Sequence, residues 1–270
     1  MENIIFIGDA RDFHAMDWYH SAKDVCYPRK VYFATDLINS EGQEVLIREG
    51  DNIINLYNID WLLFPNQSRF GHIWRNFIKL LFSPFQAIRL KLISKKTPNS
   101  IFHAHTMYYM FLCWMARISY FGTPQGSEIL VRPNRSKLYR YFAIKALLAA
   151  RHVTVDSINM QNNIYKLCGK TSSIVQNGID IIAILHSVNN SEKRINIVSL
   201  RGLRPPYQID EIFKARNHCR QKPPLILIYP FSEEGYKTEI LQKCEHNDLD
   251  LGRLSRIEMY KLLADRKSVV

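Results

Sequence analysis

The sequence predicts an α/β protein of two tandem units, each built on a parallel β-sheet. Short apolar runs of strand type alternate with amphipathic helical patterns over almost all of the 270 residues. Such alternation is typical of parallel strands joined by crossover helices. The pattern is interrupted once, by a polar stretch without periodicity, and then restarts. We therefore expect a first domain at residues 1–182, a linker at 183–193 and a second domain at 194–270.

The elements of the first domain follow from this periodicity. Apolar runs of β type predict strands at residues 3–9, 30–36, 99–106, 151–157 and 172–181. Helical spacing of apolar residues predicts helices at 109–119, 137–150 and 158–169, the last ending at Gly169. A further amphipathic helix begins at residue 72, and we expect it to break at Pro84.

The second domain repeats the pattern on a smaller scale. Strands are predicted at 194–200 and 224–231, followed by a short run at 249–254, with helices at 207–219, 236–246 and 255–266. The stretch from Lys193 to Val270 has room for about three βα repeats, whereas doubly wound sheets usually have about five or six strands. We therefore expect the second sheet to be incomplete.

Cysteine usage and apolar runs limit the class of protein. The five cysteines are odd in number and widely spaced, which argues against a disulfide framework and favours a reducing cytosol. The first residues lack the features of a signal peptide. The longest apolar stretch is interrupted by Arg117 and is short for a bilayer, so we expect no transmembrane helix.

The net charge of +11 is concentrated in one segment. No Asp or Glu occurs from Trp61 to Ser127, and the cations there are Arg69, Arg75, Lys79, Arg89, Lys91, Lys95, Lys96 and Arg117. In the amphipathic helix, Ile73, Trp74, Phe77, Ile78 and Leu81 share one face, and His72, Arg75, Asn76 and Lys79 share the other. Basic residues beside aromatic ones favour contact of Arg69 to Lys96 with an anionic membrane surface. Packing of this helix on a protein core is the alternative. No nucleic-acid motif accompanies the charge, so we expect no nucleic-acid partner.

The loop after the strand at 194–200 has the character of an anion site. A strand that opens into a helix directs backbone N–H groups and the positive end of the helix dipole at a ligand above the loop. This loop has a single glycine, Gly202, and matches neither a dinucleotide fingerprint nor a P-loop. Arg201 and Arg204 would then supply the charge that binds a phosphate.

Two histidines occupy one side of the strand at 99–106. His103 and His105 are two residues apart, so their side chains point to the same face. They could bind a metal, line the crevice where open α/β sheets bind ligands, or form structural hydrogen bonds. No third ligand stands at a recognisable spacing, so we expect no metal site.

Polar and small residues follow other strands of the first domain. In residues 122–133, Gly126 and Ser127 would allow backbone and hydroxyl to approach a sugar or phosphate, and Glu128 would accept bonds from hydroxyls. A turn without a ligand is the alternative. Gly8 would permit close ligand approach after the first strand, and Asp9 is expected to cap the following helix.

Together these segments resemble the retaining glycosyltransferases of family 4, which have the GT-B architecture of two Rossmann-like domains. The segments that carry the resemblance are "IFHAHT", "GTPQGSEIL", "VTVDSINMQNNI", "SIVQNGIDI", "IVSLRGLRPPYQIDEIFKA" and "LGRLSRIEMYKLLADRKSVV". They are similar, in this order, to the family's H-x-H strand, its GSD loop, its "vT.S" strand and helix, its "NGvD" segment, and the opening and "G.ls..el" segments of its donor domain.

The resemblance implies a role for several residues. Arg201 matches the arginine that binds the donor diphosphate, while the position of the family's lysine falls at Pro206 or Tyr207, which leaves Arg204 as a replacement. Gln125 stands where many members have an active-site histidine, beside Glu128 as the second catalytic candidate. The acceptor or cleft residues implied are Gly8, Asp9, His103, His105, Gly126, Ser127 and Asn177.

The resemblance also implies the activity. We expect a metal-independent, cofactor-free transferase that moves a sugar from a nucleotide sugar to a lipid-linked saccharide in O-antigen or capsule-like polysaccharide synthesis. Its expected place is the inner face of the cytoplasmic membrane, as a peripheral protein. The family's E-x7-E segment, which contacts the donor, would follow Val270. The alternative is therefore a truncated, catalytically inactive chain that acts as a binding or partner module.

Overall fold

The computed structural model describes residues 2–38, 46–64, 69–178, 181–187, 194–264 and 266–269. The chain divides into two compact units, Met1–Gly178 (unit 1) and Ile179–Val270 (unit 2). The boundary at Gly178 precedes the predicted boundary at residue 182. The predicted linker overlaps a helix that ends at Ser187, and its remaining residues, 188–193, lie outside the described residues.

Unit 1 is a parallel sheet with helices between its strands. Its elements are β1 (Ile4–Ile7), α1 (Phe13–Val25), β2 (Val31–Thr35), β3 (Ile53–Asn55), α2 (Arg69–Lys96), β4 (Ile101–His105), α3 (Met107–Met115), β5 (Phe121–Thr123), α4 (Gly126–Leu130), α5 (Arg132–Arg135), α6 (Lys137–Ala149), β6 (His152–Val155), α7 (Ile158–Cys168) and β7 (Ser173–Ile174). The seven strands pair in the order β3-β2-β1-β4-β5-β6-β7, and every neighbouring pair is parallel. The predicted strands are therefore confirmed, except that only Ser173–Ile174 of the run predicted at 172–181 is a strand. The strands β3 and β5 were not predicted.

The core of unit 1 lies on the two faces of this sheet. Side chains of β1, β4, α3, α6 and α7 form its largest buried apolar cluster, which includes Ile5, Phe102 and Met110. A second cluster lies between α1 and the strands β1 and β2. Strands buried on both faces are expected when helices cover both sides of a parallel sheet. α7 ends at Gly169, whose φ of 69° is the left-handed conformation that glycine adopts readily.

Helix α2 differs from its predicted form in length. The predicted break at Pro84 is wrong, because one helix of 28 residues runs from Arg69 to Lys96. Proline has no N–H to donate to the carbonyl four residues earlier. The carbonyl of that residue, Leu80, instead accepts a hydrogen bond from the Ser83 hydroxyl at 2.8 Å, and Pro84 itself faces solvent.

Helix α2 also has an unexpected orientation. Ile73, Phe77 and Leu81 of its apolar face are more than half exposed, whereas Ile78 is buried. On the opposite side, the Lys79 ammonium lies 3.4 Å from the carboxylate of the buried Asp36. Lys79 is thus not an uncompensated cation as the sequence suggested. The side chains of Arg69 and His72 lie outside what the structure describes.

Unit 2 carries a smaller parallel sheet. Its elements are α8 (Ile181–Ser187), β8 (Arg194–Ser199), α9 (Ile209–Asn217), β9 (Leu225–Ile228), α10 (Glu234–Gln242), β10 (Leu249–Gly252), α11 (Arg256–Ala264) and β11 (Arg266–Val269). Four strands pair in parallel in the order β10-β9-β8-β11. The α/β class with two parallel-sheet units is confirmed. α8 occupies a stretch in which the sequence showed no helical periodicity.

A buried ion pair holds the amino end of the second sheet. Arg216 of α9 donates to Asp248, and both side chains are almost fully buried. Asp248 also accepts from the backbone N–H groups of Leu225 and Glu245, each at 2.8 Å. Although burial opposes it, the Arg216 guanidinium and these N–H groups hold the pKa of Asp248 below its ordinary value. This pair joins α9 to β9 and to the loop before β10.

Candidate functional site

The topology of unit 1 places its candidate site between β1 and β4. The chain continues from β1 to β2 on one side of the sheet, and from β4 to β5 on the other. Open parallel sheets bind ligands at the carboxyl ends of strands beside such a switch point. Gly8 follows β1 here, and a Cβ on it would lie 3.0 Å from Phe33 and 3.1 Å from Ala15. A side chain at residue 8 would therefore need these neighbours to shift by a few tenths of an ångström.

The loop after β1 is organised by two aspartates. The expectation that Asp9 caps the helix is wrong, because Asp12 is the N-cap of α1 and accepts from the N–H of His14 at 3.0 Å. Both carboxylate oxygens of Asp9 accept from the Arg11 guanidinium at 2.9 Å. Burial acts to raise the pKa of Asp9, but the hydrogen bonds and charge of Arg11 hold it below its ordinary value.

Gln125 connects this loop to the loop after β5. Its side-chain amide donates to the carboxylate of Asp12 at 2.7 Å, and it remains exposed at the start of α4. Burial raises the pKa of Asp12. The catalytic candidate from the sequence therefore lies against a carboxylate that the sequence did not single out. Asp12 directly precedes the first residue of α1, which is the position of a helix cap and the signal that could have identified it.

Glu128 connects the loops after β4 and β5. Its Oε2 accepts from the backbone N–H groups of Met107 (2.8 Å) and Gln125 (3.0 Å), and its side chain is buried. Burial raises the pKa of Glu128, while the two N–H groups oppose this rise. The carboxylate thus fixes the start of α3 relative to α4, and its role in catalysis stays a prediction.

The segment predicted as a possible turn, residues 122–133, is largely regular structure. It contains the end of β5, then α4 and the first half of α5. Gly126 and Ser127 are the first residues of α4, and Ser127 is exposed. Both lie beside Gln125 at the same edge of the sheet.

Thr106 is the strained residue of this edge. Its φ of 73° and ψ of 154° belong to a region that glycine alone adopts without cost. Its N–H donates to the carbonyl of Thr123 at 2.9 Å, which ties the end of β4 to the end of β5. Strain of this kind, about 1–3 kcal/mol, is found most often at functional sites.

The histidine pair lies beneath this edge. The rings of His103 and His105 are in contact at a tilt of 34°, with centroids 4.7 Å apart, and both are buried. The Nε2 of His103 contacts the hydroxyl of Thr123 at 2.8 Å, whereas the Nε2 of His105 has no hydrogen-bond partner within the described part of the chain. Burial lowers the pKa of His103 to about 4 and that of His105 well below its ordinary value, so both are neutral at pH 7. Across the described residues, no three His, Cys, Asp or Glu side chains are grouped as metal ligands.

Trp18 of α1 brings Asn177 to the same place. Its indole ring contacts His103 and His105 edge-on, with centroids 5.1 and 5.4 Å apart. Its N–H donates to the side-chain carbonyl of Asn177 at 3.2 Å. The structure therefore assembles all the residues predicted for the first domain around the ends of β1, β4 and β5, with Trp18 as a member that the sequence did not indicate.

The predicted diphosphate residues lie after β8 in unit 2. Arg201 is exposed, and its side chain has no hydrogen-bond or ion-pair partner among the residues that the structure describes. The guanidinium of Arg204 lies 4.8 Å from the ring centroid of Phe231. A Cβ on Gly202 would lie 2.0 Å from the same ring, so this glycine permits ring packing. Of the two arginines, Arg201 is the one available to an anion.

The start of α9 contributes less to anion binding than the sequence suggested. Its first N–H, that of Ile209, donates to the hydroxyl of Tyr236 at 3.0 Å. Asp210 and Glu211 occupy its first turn, and negative side chains there disfavour a bound anion. A phosphate at this edge would therefore depend on Arg201.

Further cations surround the edge of unit 1. Burial lowers the pKa of the Arg75 guanidinium, and the nearby positive charges of Arg11 and Arg132 lower it further. Arg75 belongs to α2 and Arg132 to α5, so two helices bring positive charge towards the loop after β1. Nothing in the periodicity of α2 distinguishes Arg75 from its other cations.

Comparison with solved structures identifies the type of fold. The chain matches HepE of Anabaena, in complex with UDP and glucose, at a TM-score of 0.68 and 14% identity, over 100% of this chain and 73% of that one. The lipopolysaccharide outer core galactosyltransferase WaaB gives 0.63 and 13%, over 99% and 73%. Sucrose-phosphate synthase of Thermosynechococcus elongatus gives 0.71 and 10%, over 100% and 75%.

The fold is therefore that of GT-B glycosyltransferases, and the fold class predicted from the sequence is confirmed. No protein-family model and no curated protein matches the sequence. At these identities the likeness extends to the fold, while reactions differ among proteins that share a fold.

Proposed function

We propose that the chain is a glycosyltransferase that uses a UDP-sugar as donor and a lipid-linked saccharide as acceptor. The observation that carries this proposal is the likeness in fold, over the whole chain, to HepE with UDP and glucose bound. The exposed Arg201, at the carboxyl end of a strand in the second unit, supports a donor diphosphate there. Membership of the retaining, metal-independent family 4 rests on the sequence resemblance.

The proposed reaction depends more on fixed charges of the protein than on covalent bonds between protein and sugar. As the bond between the sugar and the diphosphate breaks, negative charge develops on the departing diphosphate and positive charge on the sugar. Arg201, with Arg204 close by in the chain, would stabilise the diphosphate in place of a metal ion. The acceptor hydroxyl has to be held against the reacting carbon of the sugar, because orientation lowers the barrier.

Unit 1 is the proposed acceptor side. Its edge combines hydroxyl-binding groups, Asp12 and Gln125, with a loop geometry that Glu128 and Thr106 fix. The cations Arg11, Arg75 and Arg132 near that edge suit an acceptor with a phosphate. We propose surface polysaccharide synthesis, of the O-antigen or capsule type, at the inner face of the cytoplasmic membrane as the setting. The free cysteines fit a reducing compartment.

Calorimetry with UDP tests the donor assignment. We expect Arg201→Ala to weaken UDP binding by about 1.5–3 kcal/mol, the range of a charge-assisted hydrogen bond. Arg220→Ala, which removes another exposed arginine of unit 2, should leave the affinity unchanged. Equal affinity of the Arg201 variant and the parent would contradict the assignment.

A transfer assay tests the reaction. Incubation of UDP-sugars with lipid-linked saccharides should give an extended saccharide and free UDP in equal amounts, without added metal and in the presence of EDTA. Release of UDP without an extended product would indicate another reaction at the same fold. Binding of UDP with neither product would contradict the proposal that the chain is an enzyme.

A further inference from the structure

We propose that helix α2 docks the chain on an anionic lipid bilayer by burying its outward apolar face in the membrane interface. The inference goes beyond the transfer reaction and is independent of it. Phe70, Ile73, Phe77, Leu81, Phe85 and Ile88 follow one another at intervals of three and four residues, and each is 54–64% exposed. Residues so spaced form one stripe along a helix. A stripe of this size on a folded protein marks an interaction surface.

The exposure of this stripe is fixed by polar contacts on the opposite side of α2. Lys79 and Gln86 both reach the carboxylate of Asp36, at 3.4 and 3.3 Å. Tyr109 of α3 donates to the other oxygen of Asp36 at 2.5 Å, and Tyr108 donates to Gln86 at 2.5 Å. Because Asp36 is fully buried, turning α2 to hide its apolar stripe would leave this carboxylate without its cation.

The charges beside the stripe select lipid as its occupant. Exposed Lys95 and Lys96 end the helix, and no Asp or Glu occurs between Trp61 and Ser127. Anionic headgroups complement this charge, whereas a second copy of the chain would bring the same positive charge to the contact. At the other end, Trp61 and Phe64 are exposed, and the Phe64 ring lies 5.7 Å from that of Phe70. Aromatic residues of this kind favour the membrane interface.

The helix would lie in the plane of the membrane. None of the helices that the structure describes has the length and apolarity needed to cross a bilayer. At a rise of 1.5 Å per residue, the stripe from Phe70 to Ile88 is about 27 Å long. A helix with one apolar face, one polar face and flanking cations lies with its apolar side at the boundary between headgroups and acyl chains.

Flotation with vesicles tests this docking. We expect the parent chain to float with vesicles of phosphatidylcholine mixed with phosphatidylglycerol. The triple variant Phe70→Gln, Phe77→Gln and Ile88→Gln should lower the partition coefficient at least about tenfold, because each change removes apolar surface from the contact. The matched control Leu138→Gln, Leu148→Gln and Ile158→Gln removes equally exposed residues of α6 and α7, and it should float like the parent.

A charge variant separates the electrostatic contribution to vesicle binding from the apolar contribution. Lys95→Gln with Lys96→Gln should reduce binding to the mixed vesicles and remove part of its salt dependence. The parent should retain measurable binding at high salt, since apolar contacts are not screened. Circular dichroism and UDP calorimetry on every variant would show that the fold and donor binding are intact, so failure of docking and failure of the proposed enzyme are distinguishable.

Three results would overturn the inference. The parent chain could fail to float with the mixed vesicles, or the triple variant could float as well as the parent. Alternatively, light scattering could show a dimer of the parent that the triple variant converts to a monomer, which would make a second copy of the chain the occupant of the stripe.

Discussion

Glu128 of unit 1 and Asp248 of unit 2 are both buried carboxylates, and each accepts two backbone N–H groups. They lie at opposite ends of their sheets and have opposite pKa shifts. Glu128 lies at the carboxyl ends of the strands with a largely exposed cation, Arg132, at 3.6 Å, and its pKa is raised. Asp248 lies at the amino end against the buried Arg216, and its pKa is lowered. The comparison indicates that unit 2 uses a closed ion pair for stability, whereas unit 1 leaves a less neutralised carboxylate where a ligand would bind.

The prediction with the largest expected effect on stability removes the cation from the buried pair of Arg216 and Asp248. Arg216→Met should destabilise unit 2 by about 3–5 kcal/mol, because Asp248 would stay buried without its partner. Hydrogen exchange measured by mass spectrometry would show faster exchange in α9, β9 and β10. The strands of unit 1 should exchange at the rate of the parent.

Two further variants check the cause of that effect. Adding Asp248→Asn to Arg216→Met should recover a large part of the loss, since no buried charge then remains. Arg220→Met removes an exposed arginine of the same unit and should change stability by less than about 0.5 kcal/mol. If the double variant were as unstable as the single one, lost packing and not an unpaired charge would be responsible.

The second test removes the Glu128 carboxylate, which connects the loops after β4 and β5 in unit 1. Glu128→Ala leaves the N–H groups of Met107 and Gln125 without an acceptor, and we expect a loss of about 2–3 kcal/mol. Glu128→Gln keeps an acceptor and should cost less than about half of that. Ser127→Ala, at the neighbouring exposed position, is the matched control. Urea unfolding followed in unit 1 measures all three, and equal stability of the Ala and Gln variants would refute the proposed role of the two N–H groups.

The smallest expected effects concern the pH dependence of stability. The contributions of Glu128 and Asp248 should change in opposite directions as the pH falls. The ordinary pKa values are 4.5 for Glu128 and 3.8 for Asp248. A raised folded-state pKa makes the Glu128 contribution most favourable below pH 4.5, and it declines as pH rises towards the folded value. A lowered folded-state pKa makes the Asp248 contribution complete above pH 3.8, and it is lost as pH falls towards the folded value.

Differences between variants isolate these contributions from those of other carboxyl groups. The stability gap between the parent and Glu128→Gln should move in favour of the parent on acidification towards pH 4.5. The gap between the parent and Asp248→Asn should move against the parent below pH 3.8. Parallel pH profiles for the two pairs would contradict the opposite pKa shifts and with them the contrast between the units.

Much of the fold could be predicted because its determinants are local. Strands such as β1 and β9 are continuous apolar runs, and α7 carries both an apolar face and a terminal glycine. Strands β3 and β5, of three residues each, are too short to give a periodic signal. α8 formed from apolar residues that lack helical periodicity, and it contacts α11 within unit 2.

Orientation and site geometry depended on distant partners. Periodicity located the two faces of α2, but the buried Asp36 at the end of β2 decided which face turned inwards. The helix continued through Pro84 because a neighbouring serine satisfied the freed carbonyl. At the site, the residue types after β1 and β5 were identified from the sequence. The bond between Asp12 and Gln125, which are 113 residues apart, could not be.

The pairing of β1 with β4 has a consequence for how the chain reaches this structure. β1 is a central strand, with Ile4 opposite both Val31 and Ile101. During synthesis, the whole of α2 therefore emerges from the ribosome before β4, the strand that completes the neighbourhood of β1, and closing so long a loop is slow. For that interval the nascent chain presents an apolar helix with no finished sheet behind it. With the docking proposed for α2, this order of synthesis lets the helix contact a bilayer before unit 1 has folded.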